Sequence, residues 1–384
     1  MPAMDAPETV IVGGGIAGLA TAWALAERGA RGVCVLEREA RVGMHSTGLN
    51  AGILRAAIDS PVTRKLARET AALLRYPPDS LSPHARGPLL DACGLVVWEG
   101  SPDLPEPRWL ADALADGAAG LEPEEAVKLA PHLSAEGQRA WHFPQLGKID
   151  RDGLALALEA AAKAAGVEVR TQTRVERVTL GKDGSVRGVK LSDGEMLSAP
   201  RVVLAPGGWA AQLGASCGAR FPGRATRRHL FLTKPSPKVD PRWPVTWDDT
   251  AGFYCLPQGS RLMLCLCDEE DTDPQACHPD PMIGRRLQRR VQASLPTLAD
   301  SLEIESSWCA MRTVSEDDHP VAGADPMVPG LWWVGALGGH GMSIGLALGR
   351  TAATLLAGEA IPEPLRKLLD PASPEREYTP TRRW

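Results

Sequence analysis

Residues 10–39 read VIVGGGIAGLATAWALAERGARGVCVLERE. The opening VIV is a short β-branched run, suited to a buried parallel strand. GGGIAG follows and fits Gly-x-Gly-x-x-Gly at Gly13, Gly15 and Gly18. After Leu19, the ten residues ATAWALAERG have helical character and close at Gly29, a natural C-cap. GVCVLE then makes a second strand ending at Glu37, 24 residues after Gly13. This is the dinucleotide fingerprint in its strand–turn–helix–strand context. Gly13 permits the tight turn, Gly15 admits a pyrophosphate to the backbone, and Gly18 lets helix and strand pack closely. Ile16 and Ala17, between the glycines, share that cradle. The helix N-terminus offers free N–H groups and a positive dipole end to phosphate. Glu37 is placed to accept from ribose hydroxyls.

The rest of the composition narrows the class. The 384 residues suffice for two domains, and with 44% hydrophobic and 23% charged residues the chain is of the soluble globular kind. A net charge of −5 without a basic block speaks against nucleic-acid binding and against a polybasic membrane anchor. The apolar N-terminal run follows Asp5 and Glu8 rather than basic residues. It is read as neither signal peptide nor membrane span, and no other stretch reaches about 18 apolar residues. Eight cysteines are scattered without Cys-x-x-Cys. Cys265 and Cys267 are placed on one face of a strand, LMLCLC, and Cys277-His278 is the one Cys-His neighbour pair. Metal-ligand spacing is absent, so no metal is expected, and the reading is a cytoplasmic protein with reduced thiols.

The residues after Glu37 carry a more specific likeness. LERE (36–39), with Arg38, followed by VG and HSTGLNAG (45–52), resembles the second flavin segment of the D-amino acid oxidase-like flavoenzymes. That family includes glycine oxidase, sarcosine oxidase, bacterial D-amino acid and D-arginine dehydrogenases and L-2-hydroxyglutarate oxidase. Three further segments match it in order. VEVRTQTRVERVTL (167–180) resembles the strand pair that meets the adenine, at Val175. RVVLAPGGWA (201–210) resembles its strand and turn, with Ala205, Gly207 and Trp209. LWWVGALGGHGMSIGLALGR (331–350) resembles the strand, loop and helix that close over the flavin ring, with Gly338, Gly339, His340, Gly341, Met342 and Ser343. The likeness spans about residues 8–375.

The resemblance implies an α/β fold: a Rossmann-like FAD-binding domain joined to an α+β substrate domain built on an antiparallel sheet. The first is assigned to 1–86, 147–220 and 315–384, the second to 87–146 and 221–314. Helices are expected at 153–165 and 287–300, and roof strands at RRHLFLT, AGFYCLPQG and RLMLCLC. The Pro-rich tail from residue 371 is expected to be loosely held.

The family's site residues transfer by position. Flavin amine oxidation moves a hydride from substrate Cα to flavin N5, so the protein must chiefly hold that C–H bond in place. Arg312 in WCAMRTVSEDDHPVAG is the implied carboxylate clamp, since a planar guanidinium grips both oxygens. Its alternative is a surface ion pair with Glu316 or Asp317. Tyr254 matches a roof tyrosine that bonds the carboxylate or covers the pocket. Arg227 and Arg228 open a roof strand, and alternation lets one face the pocket. His340 is read as acid, base or packing ring, with Gly341 beside the substrate; His45, Ser46 and Thr47 face the flavin. Leu49 and Cys309 stand at or near positions that carry covalent flavin links in some members, and non-covalent FAD is expected. Leu54 replaces a tyrosine of the D-arginine type. Arg86 aligns with a pocket-mouth Glu of cation-specific members, which would favour a neutral or acidic substrate; the commoner alternative is a surface arginine.

The implied activity is FAD-dependent oxidation of an amino acid (D-amino acid, glycine or N-methyl type) to an imino acid that hydrolyses to a keto acid. The alternatives are a 2-hydroxy acid dehydrogenase, with His340 or His45 as base, and a flavin-bearing subunit of a larger complex. No second Gly-x-Gly-x-x-Gly follows a strand, so electrons pass to oxygen or another acceptor rather than arrive from NAD(P)H.

Overall fold

The computed structural model describes residues 6–100, 103–133, 139–370 and 373. The tail expected to be loosely held lies, but for Ser373, outside them.

Six strands form the sheet that the opening stretch announces. Their order is Val321–Ala324, Leu331–Gly335, Arg201–Leu204, Thr9–Val12, Val33–Leu36 and Glu168–Arg170. Every neighbouring pair is parallel except the first. The strand Thr9–Val12 sits where the connections diverge to either side, the place where open α/β sheets hold ligands. Thr9–Val12 and Val33–Leu36 are buried throughout, as a two-sided sheet requires.

Three helices cover one face. Ile16–Glu27 lies between Gly341–Leu356 and Arg151–Ala164. Ile16 to Leu25 is buried on every side, which suits its even hydrophobicity. A Cβ at Gly345 would press on Ile16, and one at Gly349 would overlap Ala20, so the two helices approach to backbone contact. The expected helix at 153–165 starts at Arg151, where Asp150 caps it by accepting from Gly153 N at 2.9 Å.

The second layer is a nine-stranded sheet. Its path runs Glu270–Asp271, Gly223–Thr233, Arg261–Cys265, Phe253–Gln258, Val245–Asp248, Leu95–Glu99, Arg139–Phe143 and Ala119–Leu121, with Ile304–Ser315 paired along Gly223–Thr233. It is mostly antiparallel, as expected, but Val245–Asp248 and Leu95–Glu99 pair in parallel, so the sheet is mixed. Register sorts its side chains. Val97, Trp247, Tyr254, Cys265 and Leu230 stand in one cross-strand row and join the core shared with the helices of the parallel sheet. Their neighbours Val96, Phe253, Cys255, Leu264 and Phe231 face the other way, onto Ile283, Leu287 and Val291.

Two local expectations need correction. The helix placed at 287–300 runs from Ile283 to Ser294 and stops because Leu295 precedes Pro296, which disfavours the helical conformation. Cys265 ends its strand, while Cys267 has φ +48° and has left the pleat, so the two do not share a strand face.

Candidate functional site

Two cavities meet between the layers, and Asn50, Arg312 and Gly339 line both. The first runs along the C-terminal ends of the parallel strands. Gly13 has φ +112°, and a Cβ there would overlap Ala205 O; a Cβ at Gly18 would overlap Gly13 O. Only glycine fits either place, and the backbone at Gly15 is left open to the cavity. Ile16 N donates to Thr47 Oγ1 at 3.0 Å, which ties the 43–50 loop to the helix start. Two helices begin on this one cavity, at Ile16 and Gly341, and turn the positive ends of their dipoles toward it.

Farther along, the wall is aromatic and charged. The Arg38 guanidinium lies 4.4 Å over the Trp209 ring, and His45 meets that ring edge-on at 4.8 Å. Glu39 Oε1 binds both Arg38 Nε and His45 Nε2 at 2.8 Å. Trp209 Nε1 is buried and without a partner. Such a donor costs stability unless a ligand or water accepts from it. A glycine cradle, two dipole ends and an orphaned indole N–H on one elongated wall fit an extended dinucleotide bearing phosphates.

Most residues expected on the cofactor side line this cavity: Gly13, Gly15, Ile16, Ala17, Glu37, Arg38, His45, Ser46, Thr47, Val175, Ala205, Gly207, Trp209, Gly339, Gly341 and Met342. Glu37 is already engaged, accepting from Gly14 N at 2.7 Å and Glu39 N at 2.9 Å. Gly18 lies beneath the wall as the helix–strand contact. Gly338, His340 and Ser343 line the second cavity instead. Ser343 Oγ accepts from Arg55 N and donates to Ile53 O, a brace rather than an open contact. Gly341, expected beside the substrate, lies on the first cavity.

The second cavity, of about 350 Å³, lies under the mixed sheet. Thr226 pairs with Arg312, so Arg228, two residues along, shares its face. Arg312 is buried; Nη1 donates to Met311 O at 2.9 Å, and Nε has no partner. It makes no pair with Glu316, which lies 3.8 Å from Arg220. Arg228 is also buried; Nε donates to the Asp268 carbonyl at 3.1 Å, and Glu269 stands 3.7 Å off. Both guanidinium arms pack where a Gly339 Cβ would be, and their mutual repulsion adds to burial in weakening the Arg312 proton affinity. Tyr254 is buried on this wall, stacked on Trp247 at 4.6 Å, and burial drives its hydroxyl well above the usual range. Arg227 takes the opposite face, paired with Glu270 at 2.6 Å and His278 O at 2.9 Å, and does not line the second cavity.

His340 lies on the second cavity, where burial and the charges of Arg55, Arg228 and Arg312 push its pKa down to about 3. It is neutral at ordinary pH, and a weak base. Leu54 is fully buried and off the wall, and Arg86 is the exposed surface arginine of its commoner reading, lining neither cavity, so it gives no guide to substrate charge. Sequence reasoning missed three neighbours. Arg55 is buried, forms an ion pair with Asp249, and lays its guanidinium 4.1 Å over Trp247. The signal was the sequence ILR (53–55), an arginine directly after an apolar strand. Among the described residues, no group of three or more His, Cys, Asp or Glu is placed to hold a metal ion, and no helix is long and apolar enough to cross a membrane.

Comparison with known proteins adds the lineage. The profile of the DAO family, FAD dependent oxidoreductase, matches residues 8–355. The chain is 27% identical to the glycine oxidase of Pseudomonas aeruginosa, covering 94% of this chain and 96% of that protein. It is 28% identical to the tRNA 5-methylaminomethyl-2-thiouridine biosynthesis bifunctional protein of Verminephrobacter eiseniae, spanning 63% of that protein's length and 94% of its own. In fold it is similar to the L-proline dehydrogenase of P. horikoshii, with TM-score 0.85 and 21% identity, covering 97% of this chain and 99% of that one. It is also similar to the glycine oxidase of Geobacillus kaustophilus, with TM-score 0.78 and 24% identity, over 92% and 95%. With its glycine cradle and both cavities inside the matched span, the chain belongs to the DAO family of FAD-dependent oxidoreductases.

Proposed function

We propose that this enzyme oxidises the Cα–N bond of an amino acid, giving an imino acid that hydrolyses to a keto acid. The observation that carries the reading is Arg312: a buried guanidinium with an unpartnered Nε at the junction of the two cavities. An α-carboxylate supplies the acceptors that Arg312 lacks, and Arg228 and the Tyr254 hydroxyl adjoin it. FAD, held non-covalently by the cradle of Gly13, Gly15 and the helix N-termini, supplies a two-electron acceptor for the hydride. The segments 1–86, 147–220 and 315–384 are assigned to its domain, and 87–146 and 221–314 to the substrate domain. Cys309 turns its thiol to Cys277 rather than to either cavity, which supports the absence of a covalent link.

The chain's own groups favour an amine over a 2-hydroxy acid. Alcohol oxidation needs a base for the hydroxyl proton; His340 on the second cavity is a weak base, and His45 lies on the first cavity with its Nε2 engaged by Glu39. An amine needs only to arrive neutral. The cations Arg55, Arg228 and Arg312 oppose a further positive charge, so they lower the amine's own pKa on binding. The Arg55–Asp249 pair and Trp247 hold the far wall in place. The reading is of a cytoplasmic enzyme passing electrons to oxygen or another acceptor. The test is anaerobic mixing of the FAD-loaded protein with D- and L-amino acids, N-methyl amino acids and 2-hydroxy acids. Bleaching of the flavin band by an amine is the expected result; bleaching by hydroxy acids alone would refute it.

A further inference from the structure

The face of the mixed sheet opposite Arg228 and Arg312 carries a cluster for which amine oxidation has no use. Cys309 sits there on Ile304–Ser315, directly across from His229. The loop that follows Glu270–Asp271 brings Cys277 to it, with the two sulfurs 3.3 Å apart. The same loop is fastened at two more points. Arg227 Nη1 donates to His278 O at 2.9 Å, and Asp280 N donates to His229 Nε2 at 2.8 Å. The sulfurs are therefore held in contact by a framework that does not depend on them.

The two thiols are unlike. Cys309 is buried, whereas Cys277 is partly exposed. The hydrogen bond from Cys309, helped by the positive charge of Arg227, holds the Cys277 thiol down at about 7, and the same contact pushes Cys309 up. An accessible thiolate beside a buried partner is the arrangement of an attacking and a resolving cysteine. Of the other cysteines, burial lifts Cys34 and Cys255 to about 12; Cys265, where burial is outweighed by Cys267 and Arg228 and the thiol is held down at about 7, is fully buried and so, unlike Cys277, is closed to solvent.

We propose that Cys277 and Cys309 are a reversible dithiol–disulfide pair oxidised by hydroperoxides. The Cys277 thiolate attacks one peroxide oxygen and the O–O bond breaks. The released hydroxide takes a proton and leaves as water, and Cys277 becomes a sulfenic acid. Cys309 sulfur then attacks Cys277 sulfur and the S–O bond breaks. The departing hydroxide takes the Cys309 proton and leaves as a second water. Two thiols lose two electrons and one hydrogen peroxide gains them. The bond fixes the 277–280 loop to the strand that carries Arg312.

The test uses the reduced, FAD-loaded full chain, without substrate. It is treated with a small excess of hydrogen peroxide, blocked with N-ethylmaleimide, and digested without reductant. The expected product is a peptide pair joined through Cys277 and Cys309, lighter by two hydrogens than its reduced parts and separated by dithiothreitol. Cys309→Ser should leave a Cys277 sulfenic acid that dimedone captures, while Cys277→Ser should leave Cys309 as a thiol. A wild-type protein in which Cys277 stays alkylatable, oxidises to sulfinic acid without joining, or joins a different cysteine would overturn the proposal. Because the wild-type chain alone decides these outcomes, instability of a variant does not obscure them.

Discussion

One cavity starts from a backbone cradle, and the other is walled by side chains. Around Gly13, Gly15 and Gly18 the wall is a turn, two helix starts and strand ends, and the groups that meet a ligand are N–H donors fixed by secondary structure. Under the mixed sheet the wall is Arg55, Arg228, Arg312, Trp247 and Tyr254, delivered by strands remote in sequence and fixed by register. A backbone cradle tolerates change in what surrounds it but none at its glycines. A side-chain pocket tolerates substitution one group at a time, with graded losses, and so is where specificity can vary on a constant fold.

The comparison can be broken at several points. The largest effect is expected from Asp249→Ala. It leaves the Arg55 guanidinium buried and unpaired, a loss of about 3 kcal/mol, read as a fall in Tm; an unchanged Tm would mean that Arg55 is solvated by other means. Gly18→Ala drives a Cβ into Gly13 O at a cost of ~2–3 kcal/mol. FAD retention should weaken by about 100-fold at that cost. The visible flavin absorbance of the purified protein reports it, and full colour would show that the cradle yields. Arg228→Ala and Arg227→Ala are neighbours that sharpen the contrast. The first should lower kcat/KM by about 10-fold, the loss of one charge-assisted hydrogen bond, and the second should leave it within about 2-fold. Equal effects would contradict the assignment by face.

The smallest effect concerns pH. The folded His340 has its pKa near 3, below the ordinary 6.5. Between those values the unfolded chain binds a proton that the folded chain does not. Stability from this residue is therefore complete above pH 6.5 and lost as pH falls toward 3. His340→Gln should flatten that part of the Tm–pH curve and leave the neutral-pH limb of kcat/KM unmoved. Loss of a kinetic step near neutrality would instead restore His340 as a base.

The same contrast explains what the sequence disclosed. The glycine cradle is local, so spacing within residues 10–39 placed its glycines and Glu37, whereas HSTG and the remote wall residues Val175, Ala205, Gly207, Trp209, Gly339, Gly341 and Met342 were found through a family's segments. Arg312 and Tyr254 were found because their segments resemble a family's. Arg228 could not be told from Arg227 by alternation alone, because alternation says that neighbours differ but not which face is inward. That choice is made by pairing with Ile304–Ser315, some 80 residues away. Arg55 was passed over for Leu54, since its role depends on Asp249 and Trp247, which only the folded sheet brings to it. Arg86 is the surface arginine its commoner reading gave; its alignment with a pocket position failed because a loop position was aligned without a strand to anchor it.

The central claim is that Arg312 holds the substrate's carboxylate beside the flavin. It is tested by anaerobic reduction of the FAD-loaded wild-type and Arg312→Ala proteins over a range of the best amino acid substrate. The account expects the half-saturating concentration to rise by about 100-fold in the variant, the ~2.7 kcal/mol of a bidentate ionic contact, with flavin content preserved. An unchanged half-saturation in a variant that still binds FAD would contradict it.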